Sequence, residues 1–310
     1  HEFTLSKAKE DRLNLMKATN CNFSQIYALY MDEKHTTLAT IDEQSKAKAD
    51  LEFTDETGVT HRLWIETDEE IIAKLVADFA DRKLYIADGH HRYETALNYR
   101  NYCRENGISK PGDPQDFQMI YLVDMEHPGL VVFPTHRLVR DLPNFDKEAV
   151  LEKCSEFFYI DEKEGTDTME EDLKKLYDEG KKAFGFYCGK GEWFLLTLKN
   201  IDFMSQILPD VSKASQSLDV SVLHTLILEK IFGIDKENMA KQINLTYTKF
   251  FTEAIDGVDK GEFQCSFVLN PTRVTEIRDV AAAGEKMPQK STYFYPKMIT
   301  GMVMNNLGVD

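Results

Sequence analysis

The sequence predicts a mixed α/β fold in two subdomains, because short apolar runs alternate with helical patterns along a chain of 310 residues. That length exceeds what a single small hydrophobic core usually serves. The clearest local pattern is an apolar run over 83–87, a break at Asp88-Gly89, and helical spacing over 91–105. It predicts a buried strand, a tight turn and a helix, with the turn at the surface of a cleft.

Local signals predict the other elements of the first half. Two arms, 51–54 and 59–67, flank Glu56-Thr57-Gly58 and predict a hairpin. Asp68 precedes an amphipathic pattern over 69–80, and we expect its side chain to cap that helix.

The second half predicts alternating helices and strands as well. Charged helices are expected over 147–157 and 169–179, and strands over 183–188 and 192–198. Asp219 is predicted to cap an apolar helix over 220–232.

A Pro-containing segment, Leu142-Pro143-Asn144, marks the expected domain boundary. The first domain is then 1–142. The second, 143–310, is an α/β subdomain that closes with a loop reading PQKSTYFYPK. The chain begins with His1 and not Met, so we expect the first domain to lack part of its natural N-terminus.

Composition narrows the class of protein. Apolar residues make up 42% of the chain, which suffices for ordinary cores, and the formal net charge is −16. Such an acidic surface disfavours broad nucleic-acid binding, and no apolar run approaches the ~20 residues of a membrane helix. Five scattered cysteines without a CxxC pair are typical of reduced thiols. We therefore predict a cytoplasmic protein whose partner is a small molecule, with no membrane or nucleic-acid partner.

The turn Asp88-Gly89-His90-His91-Arg92 carries the strongest functional signal. A helix start presents backbone N–H groups and partial positive charge, and glycine permits close approach of a ligand. Arginine offers a planar fork for phosphate or carboxylate, and histidine donates hydrogen bonds or moves protons near neutral pH. Asp88 could hold a metal, act as a base or simply cap the helix. Because four ionisable residues crowd one strand-to-helix turn, we predict an anionic, phosphate-bearing ligand there.

A second polar loop, Lys290-Ser291-Thr292, is a further candidate for phosphate binding. Its spacing from Gly284 does not match a Walker A loop, so a P-loop is rejected. A solvated structural loop is the alternative. We expect Lys290 and Ser291 to lie near the Asp88–Arg92 turn despite their distance along the chain.

Weaker candidates follow two other patterns. His136 and Arg137 come directly after a predicted strand, where a basic pair borders a phosphate pocket or is merely solvated. Glu2, Asp11 and Arg12 fall on a predicted N-terminal helix with only partial overlap of faces, so an exposed helix is the alternative.

Several motifs together resemble the bacterial and archaeal family catalogued as domain of unknown function 1015. They are His1-Glu2 with Lys9-Glu10-Asp11-Arg12, the segment GVTHRLW at 58–64, DGHHRYETA at 88–96, and MPQKSTYFYPK at 287–297. The resemblance spans essentially the whole chain. Members of the family carry a further N-terminal region, which we expect to be missing here.

The DGHHR turn also resembles the strand–turn–helix of the ParB and sulfiredoxin superfamily, which includes nucleotide switches and free serine kinases. That resemblance implies that Gly89, His90, His91 and Arg92 face nucleotide phosphates. Sulfiredoxin chemistry needs a cysteine in the turn, and the nearest here is Cys103, about three helical turns on.

The resulting prediction is a nucleotide-dependent phosphotransferase acting on a small polar metabolite, with serine named by analogy. Arg92 and Gly89 would hold phosphate, His90 or His91 would stabilise the transferring group, and Asp88 or Glu2 would orient the hydroxyl or act as base. ATP or ADP with magnesium is the expected cofactor, since hard oxygen ligands suit magnesium. The alternatives are a non-catalytic nucleotide-binding regulator and a hydrolase of phosphorylated metabolites.

Overall fold

The computed structural model describes residues 6–308, with side chains from Lys9 onward. This part of the chain forms two compact units. We call residues 6–130 with 298–308 the N-terminal unit, and residues 131–297 the large-sheet unit. The expected boundary at residue 142 falls inside the large-sheet unit, because the strand that precedes it already belongs to the central sheet of that unit.

Helices and strands alternate along the described chain, which confirms the mixed α/β class. The helices are α1 (Ser6–Thr19), α2 (Thr36–Gln44), α3 (Glu69–Phe79), α4 (His90–Glu105), α5 (Lys147–Cys154), α6 (Met169–Asp178), α7 (Asp202–Ile207), α8 (Lys213–Gln216), α9 (Asp219–Val222), α10 (Lys236–Lys241), α11 (Phe251–Asp259) and α12 (Val274–Ala282). A 3₁₀ turn covers Pro114–Asp116, and a π-helical segment, Leu223–Glu229, continues α9.

The strands form small sheets in the N-terminal unit and one large sheet elsewhere. They are β1 (Cys21–Asn22), β2 (Ile26–Tyr30), β3 (Leu51–Thr54), β4 (Thr60–Leu63), β5 (Tyr85–Asp88), β6 (Ile120–Asp124), β7 (Val131–Phe133), β8 (His136–Val139), β9 (Phe158–Glu164), β10 (Ala183–Gly189), β11 (Glu192–Leu198), β12 (Leu245–Thr248), β13 (Cys265–Val268), β14 (Tyr293–Tyr295) and β15 (Asn305–Asn306).

In the N-terminal unit, a three-stranded sheet in the order β5-β2-β6 positions the DGHHR turn. The central strand β2 is buried along its whole length, as its apolar and aromatic sequence requires. It runs antiparallel to β5 and parallel to β6. The hairpin prediction is confirmed by the pairing of β3 with β4, and Asp68 caps α3 by accepting from the amides of Glu70 and Ile71.

The large-sheet unit is built on six antiparallel strands in the order β12-β8-β13-β10-β11-β9. Phe186 and Phe267 stack on neighbouring strands with ring centroids 5.0 Å apart, at the centre of the apolar core. A separate two-stranded ladder pairs β7 with β14. It brings the segment before β8 beside the residues that follow Lys290.

The predicted cap at Asp219 is wrong. Leu218 is the N-cap of α9, and the carboxylate of Asp219 lies 2.8 Å from Lys182 Nζ instead. The Lys182 side chain is largely buried, and an enclosed ammonium group requires a nearby carboxylate. The predicted helix over 220–232 is also α-helical for only a few residues before its π-helical segment begins.

Within the described ranges, no helix is long and apolar enough to cross a membrane. All five cysteines are free thiols. Cys103, Cys154 and Cys265 are buried and act as small apolar side chains in the packing of their units.

Replacing Leu226 with alanine should destabilise the protein by about 2–5 kcal/mol, because this core side chain is fully enclosed and its loss leaves a cavity. Urea denaturation measures the free energy of unfolding. Ile243→Ala is the control, since Ile243 is 53% exposed. Equal losses of stability in both variants would contradict the placement of Leu226 in the core.

Candidate functional site

The DGHHR turn has the predicted strand–turn–helix geometry. Strand β5 ends at Asp88, Gly89 turns the backbone with φ 90°, and helix α4 begins at His90. Gly89 is the N-cap of α4, and the cap position makes no side-chain hydrogen bond. The free amide groups in the first turn of this 16-residue helix therefore point toward Gly89, and this end of the helix carries a partial positive charge.

Gly89 is required here for two separate physical reasons. Its φ lies in the left-handed region, which costs other L residues about 1–2 kcal/mol. In addition, a Cβ atom at this position would lie 2.9 Å from Arg92 Nη2 and 3.0 Å from its Nε. The bare backbone of Gly89 thus leaves space for the guanidinium group to fold back over the turn.

Arg92 is held half-buried against the residues that directly precede β2. Its Nη1 donates to the hydroxyl of Ser24 at 2.9 Å and to the carbonyl of Gln25. Its Nη2 lies 3.9 Å from an oxygen of Asp88, and its side chain remains 26% exposed. Burial lowers the pKa of Arg92, the charge of Asp88 opposes this, and Arg12 adds to it. Arg92 is thus only partly enclosed, and its ion pair among the described residues, with Asp88, is long.

Asp88 stands at the end of β5 with 41% of its side chain exposed. One carboxylate oxygen accepts a hydrogen bond of 2.7 Å from the amide of Gly89. This contact fixes the carboxylate across the turn, and the N-cap position itself belongs to Gly89. An exposed carboxylate held beside an arginine can orient a hydroxyl group or accept its proton.

The two histidines of the turn differ in environment. His90 is buried, and burial lowers its pKa to about 4, although a hydrogen bond to the backbone of Ile86 partly opposes the shift. At neutral pH, His90 is therefore an uncharged side chain that orients the turn. His91, the next residue, is only half-buried.

Helix α1 contributes to the surroundings of α4. Lys9 Nζ lies 2.8 Å from a carboxylate oxygen of Glu94, so the charge of Glu94 is paired with that of a lysine. The charge of Arg12 lowers the pKa of Arg92, so Arg12 also lies near the turn. Glu2, the other candidate from the N-terminal segment, lies outside the described residues.

Several residues around the turn carry no functional signal in the sequence. Ser24 and Gln25 anchor Arg92. Tyr27 pairs with Asp88 across the sheet and packs on Tyr121, with ring centroids 5.2 Å apart. The pKa of Tyr27 lies well above its ordinary value, mainly because the side chain is buried. Tyr121 and the negative charge of Asp88 raise it further. In the sequence these residues indicate only an apolar strand, and nothing local reveals which turn that strand adjoins.

The Lys290–Thr292 loop belongs to the large-sheet unit. Lys290 is exposed and has a left-handed backbone with φ 56°, and its carbonyl accepts a hydrogen bond of 3.0 Å from Arg137 Nη2. Ser291 is buried, and its carbonyl accepts from Thr272 Oγ1 at 2.8 Å. Thr292 is half-buried. The proximity of this loop to the Asp88–Arg92 turn stays a prediction.

Across the described ranges, no group of three or more His, Cys, Asp or Glu side chains is arranged to hold a metal ion. A magnesium site does not need three such side chains, because one or two carboxylates, together with substrate phosphates and water, complete the coordination of the ion. Asp88 has the donor chemistry for such a role, since its carboxylate is partly exposed at the turn.

The fold and this turn define a mixed α/β protein with a strand–turn–helix motif. A family model described as Protein of unknown function (DUF1015) matches residues 1–221, and the chain belongs to this family. Comparison with curated proteins gave no match.

Solved structures resemble the chain at a TM-score of 0.45. One is described as a conserved hypothetical protein from Pyrococcus furiosus. It is 15% identical, and the match covers 99% of this chain and 90% of that one. Another is described as free serine kinase in complex with AMP. It is 13% identical, with 97% and 83% of the two chains covered. A mutant of free serine kinase in complex with ADP is 12% identical over the same shares.

Gly89→Ala should destabilise the protein more than Gly112→Ala. Both glycines have similar φ values, 90° and 93°, but a Cβ atom at Gly112 would meet nothing within 4 Å. The backbone cost of about 1–2 kcal/mol is therefore shared, and only Gly89→Ala displaces Arg92. Thermal unfolding of both variants measures the difference. Equal melting temperatures would show that the guanidinium group does not need the space above Gly89.

Proposed function

We propose that the Asp88–Arg92 turn binds the phosphate groups of a nucleotide, and that the protein transfers a phosphoryl group to a small polar metabolite. The observation that carries this proposal is the position of Arg92. Its guanidinium group lies partly exposed over a bare glycine backbone at the start of a long helix, beside an exposed carboxylate. Helix N-termini and arginine are both preferred binders of phosphate.

The phosphate would contact the first turn of α4 and the Nε–Nη2 edge of Arg92. That edge lies over Gly89, while Nη1 is held by Ser24 and Gln25. Because the protein orients the guanidinium group before a ligand binds, little side-chain entropy is lost on binding. Preorganised charge of this kind is what phosphoryl transfer chiefly requires.

Asp88 would act on the acceptor. Its exposed carboxylate is fixed by the amide of Gly89 and would accept the proton of the attacking hydroxyl group. As the hydroxyl oxygen bonds to the terminal phosphorus of the nucleotide, the bond from that phosphorus to the bridging oxygen would break, and the nucleotide would leave with one phosphate fewer. Magnesium, where bound, would supply charge neutralisation through Asp88 and phosphate oxygens. His91 would donate a hydrogen bond to the transferring group, and the neutral, buried His90 would hold the turn.

A phosphate-binding role for Lys290, Ser291 and Thr292 stays a prediction from the sequence, and Glu2 stays the alternative base. Serine and the adenine nucleotides are the first compounds to test, because the DGHHR turn resembles that of free serine kinases.

Arg92→Ala should weaken binding of ATP or ADP by roughly ten- to a hundred-fold, since a charge-assisted contact contributes about 1.5–3 kcal/mol. Isothermal titration calorimetry in magnesium buffer measures the affinity. Arg104→Ala is the matched control, because it removes the same charge from the same helix, where Arg104 pairs with Asp116. Far-ultraviolet circular dichroism should show that both variants are folded.

Unchanged nucleotide affinity in a folded Arg92→Ala variant would exclude this turn as the phosphate site. Nucleotide binding by the wild-type protein without transfer to any hydroxy compound would favour a regulator over a kinase. Release of phosphate from a phosphorylated metabolite without nucleotide would instead indicate a hydrolase.

Asp88→Asn should retain nucleotide binding and lose most phosphoryl transfer. Asparagine keeps an oxygen that accepts from the amide of Gly89, so the turn should remain intact, but it cannot take a proton. The measurement is the turnover number and the nucleotide affinity of the same preparation. Turnover equal to that of the wild-type protein would assign Asp88 a purely structural role.

A further inference from the structure

Arg137 in the large-sheet unit is a fully buried arginine whose hydrogen-bond partners are all uncharged. Its Nη1 donates to the carbonyl of Thr135. Its Nη2 donates to Nε2 of His224 at 3.2 Å and to the carbonyl of Lys290 at 3.0 Å. Burial lowers the pKa of Arg137 to about 10, so the side chain remains protonated at neutral pH.

His224 does not neutralise that charge. Burial, with the charge of Arg137, lowers the pKa of His224 well below its usual range, so the imidazole is neutral. Although it lies beside a fully enclosed arginine, His224 itself is only half-buried. Solvent therefore reaches the edge of this group of residues.

Two lysines lie on segments that contact Arg137 or the strand paired with it. Lys249 Nζ lies 3.3 Å from the hydroxyl of Tyr293 and 4.4 Å from the centre of its ring. Lys290 supplies the carbonyl that Arg137 binds. In the part of the chain with described side chains, no carboxylate oxygen lies within 4.0 Å of the charged nitrogens of Arg137, Lys249 or Lys290. This is unusual in a chain whose net charge is −16.

The fold assembles these residues from four separate segments. Strand β8 pairs Arg137 with Tyr247 of β12, two residues before Lys249. Strand β7 pairs Phe133 with Tyr293 of β14, three residues after Lys290. His224 lies on the π-helical segment, and such segments frequently occur at functional sites. Lys290 has a left-handed backbone, another form of strain that concentrates at such sites.

Buried polar atoms around Arg137 also lack partners. They are the hydroxyl oxygens of Thr135 and Ser291 and the Nε of Arg137 itself. Each such group costs about 1–3 kcal/mol when it is left without a hydrogen bond. Each of these three groups can donate a hydrogen bond to an oxygen atom, and none of them is a base. A negatively charged oxygen acceptor would therefore satisfy all three.

We propose that Arg137, His224, Lys249 and Lys290 form a binding site for an oxyanion, the phosphate or carboxylate group of a small molecule. The ligand enters beside His224, where Lys249 and Lys290 contact it. Arg137 is a positioning residue that fixes the Lys290 carbonyl and provides buried positive charge. This site does not depend on the phosphotransferase activity proposed above, because Arg137, His224 and Lys249 take no part in that activity, although Lys290 was also predicted from the sequence to bind phosphate.

The test compares the double variant Lys249→Gln/Lys290→Gln with Lys241→Gln/Lys260→Gln. The control removes the same charge from the same unit, at lysines that form surface pairs with Glu237 and Asp256. Isothermal titration calorimetry uses inorganic pyrophosphate and succinate as separate probes, so that phosphate and carboxylate preferences are distinguished. All variants carry Arg92→Ala, which removes the proposed contribution of the DGHHR turn.

The Lys249/Lys290 variant should bind the preferred probe about tenfold more weakly or worse, because it loses charge-assisted contacts. The control should stay within about twofold of the parent, since exposed surface pairs contribute little. Equal affinity of the two double variants, or no binding of either probe by the parent, would overturn the proposal.

Arg137→Met separates a positioning role from a merely structural one. Replacing an unneutralised buried charge with an apolar side chain of similar length is often neutral or stabilising. We therefore expect a folded variant with a melting temperature near the parent's but without probe binding, and partial recovery of binding in Arg137→Lys. Parent-like affinity in a folded Arg137→Met variant would remove Arg137 from the site.

Discussion

The hydrogen bonds from Arg92 to Ser24 and to the carbonyl of Gln25 determine where the DGHHR turn lies. They connect the start of α4 to the loop that enters the buried strand β2, so that strand, turn and helix form one rigid corner. Gly89 leaves room for that corner, since a Cβ atom at this position would come within 2.9 Å of the guanidinium group. Gly89 and Arg92 together therefore determine both where the turn lies and which charge it carries.

Much of this corner could be predicted from sequence, because its signals are local. The apolar run, the glycine and the helical spacing after it lie within about 25 residues and needed no knowledge of the fold. The anchors of Arg92 could not be predicted in this way, because Gln25 and Arg92 are 67 positions apart. At Asp219 a local signal gave a wrong prediction. The position of this residue suits a helix cap, but its carboxylate pairs with the enclosed Lys182 instead.

Electrostatics explains why both proposed sites stand out in this chain. An acidic surface repels phosphate-bearing ligands unless cations are concentrated locally and shielded from neighbouring carboxylates. Arg137 meets this condition by complete burial, and Arg92 meets it in part, because its ion pair with Asp88 is long at 3.9 Å. The His136-Arg137 pair was visible in the sequence, but its burial and its contact with Lys290 depend on strand pairing that no local pattern encodes.

The return of residues 298–308 to the N-terminal unit sets an order for folding on the ribosome. Strand β15 pairs with β1, Leu307 is buried with Tyr99 and Cys103, and the Leu307 carbonyl accepts from Gln115. The described residues of the large-sheet unit, by contrast, form one continuous stretch, 131–297. A nascent chain can therefore complete the large-sheet unit while the earlier-synthesised N-terminal unit still lacks its last strand and part of its core.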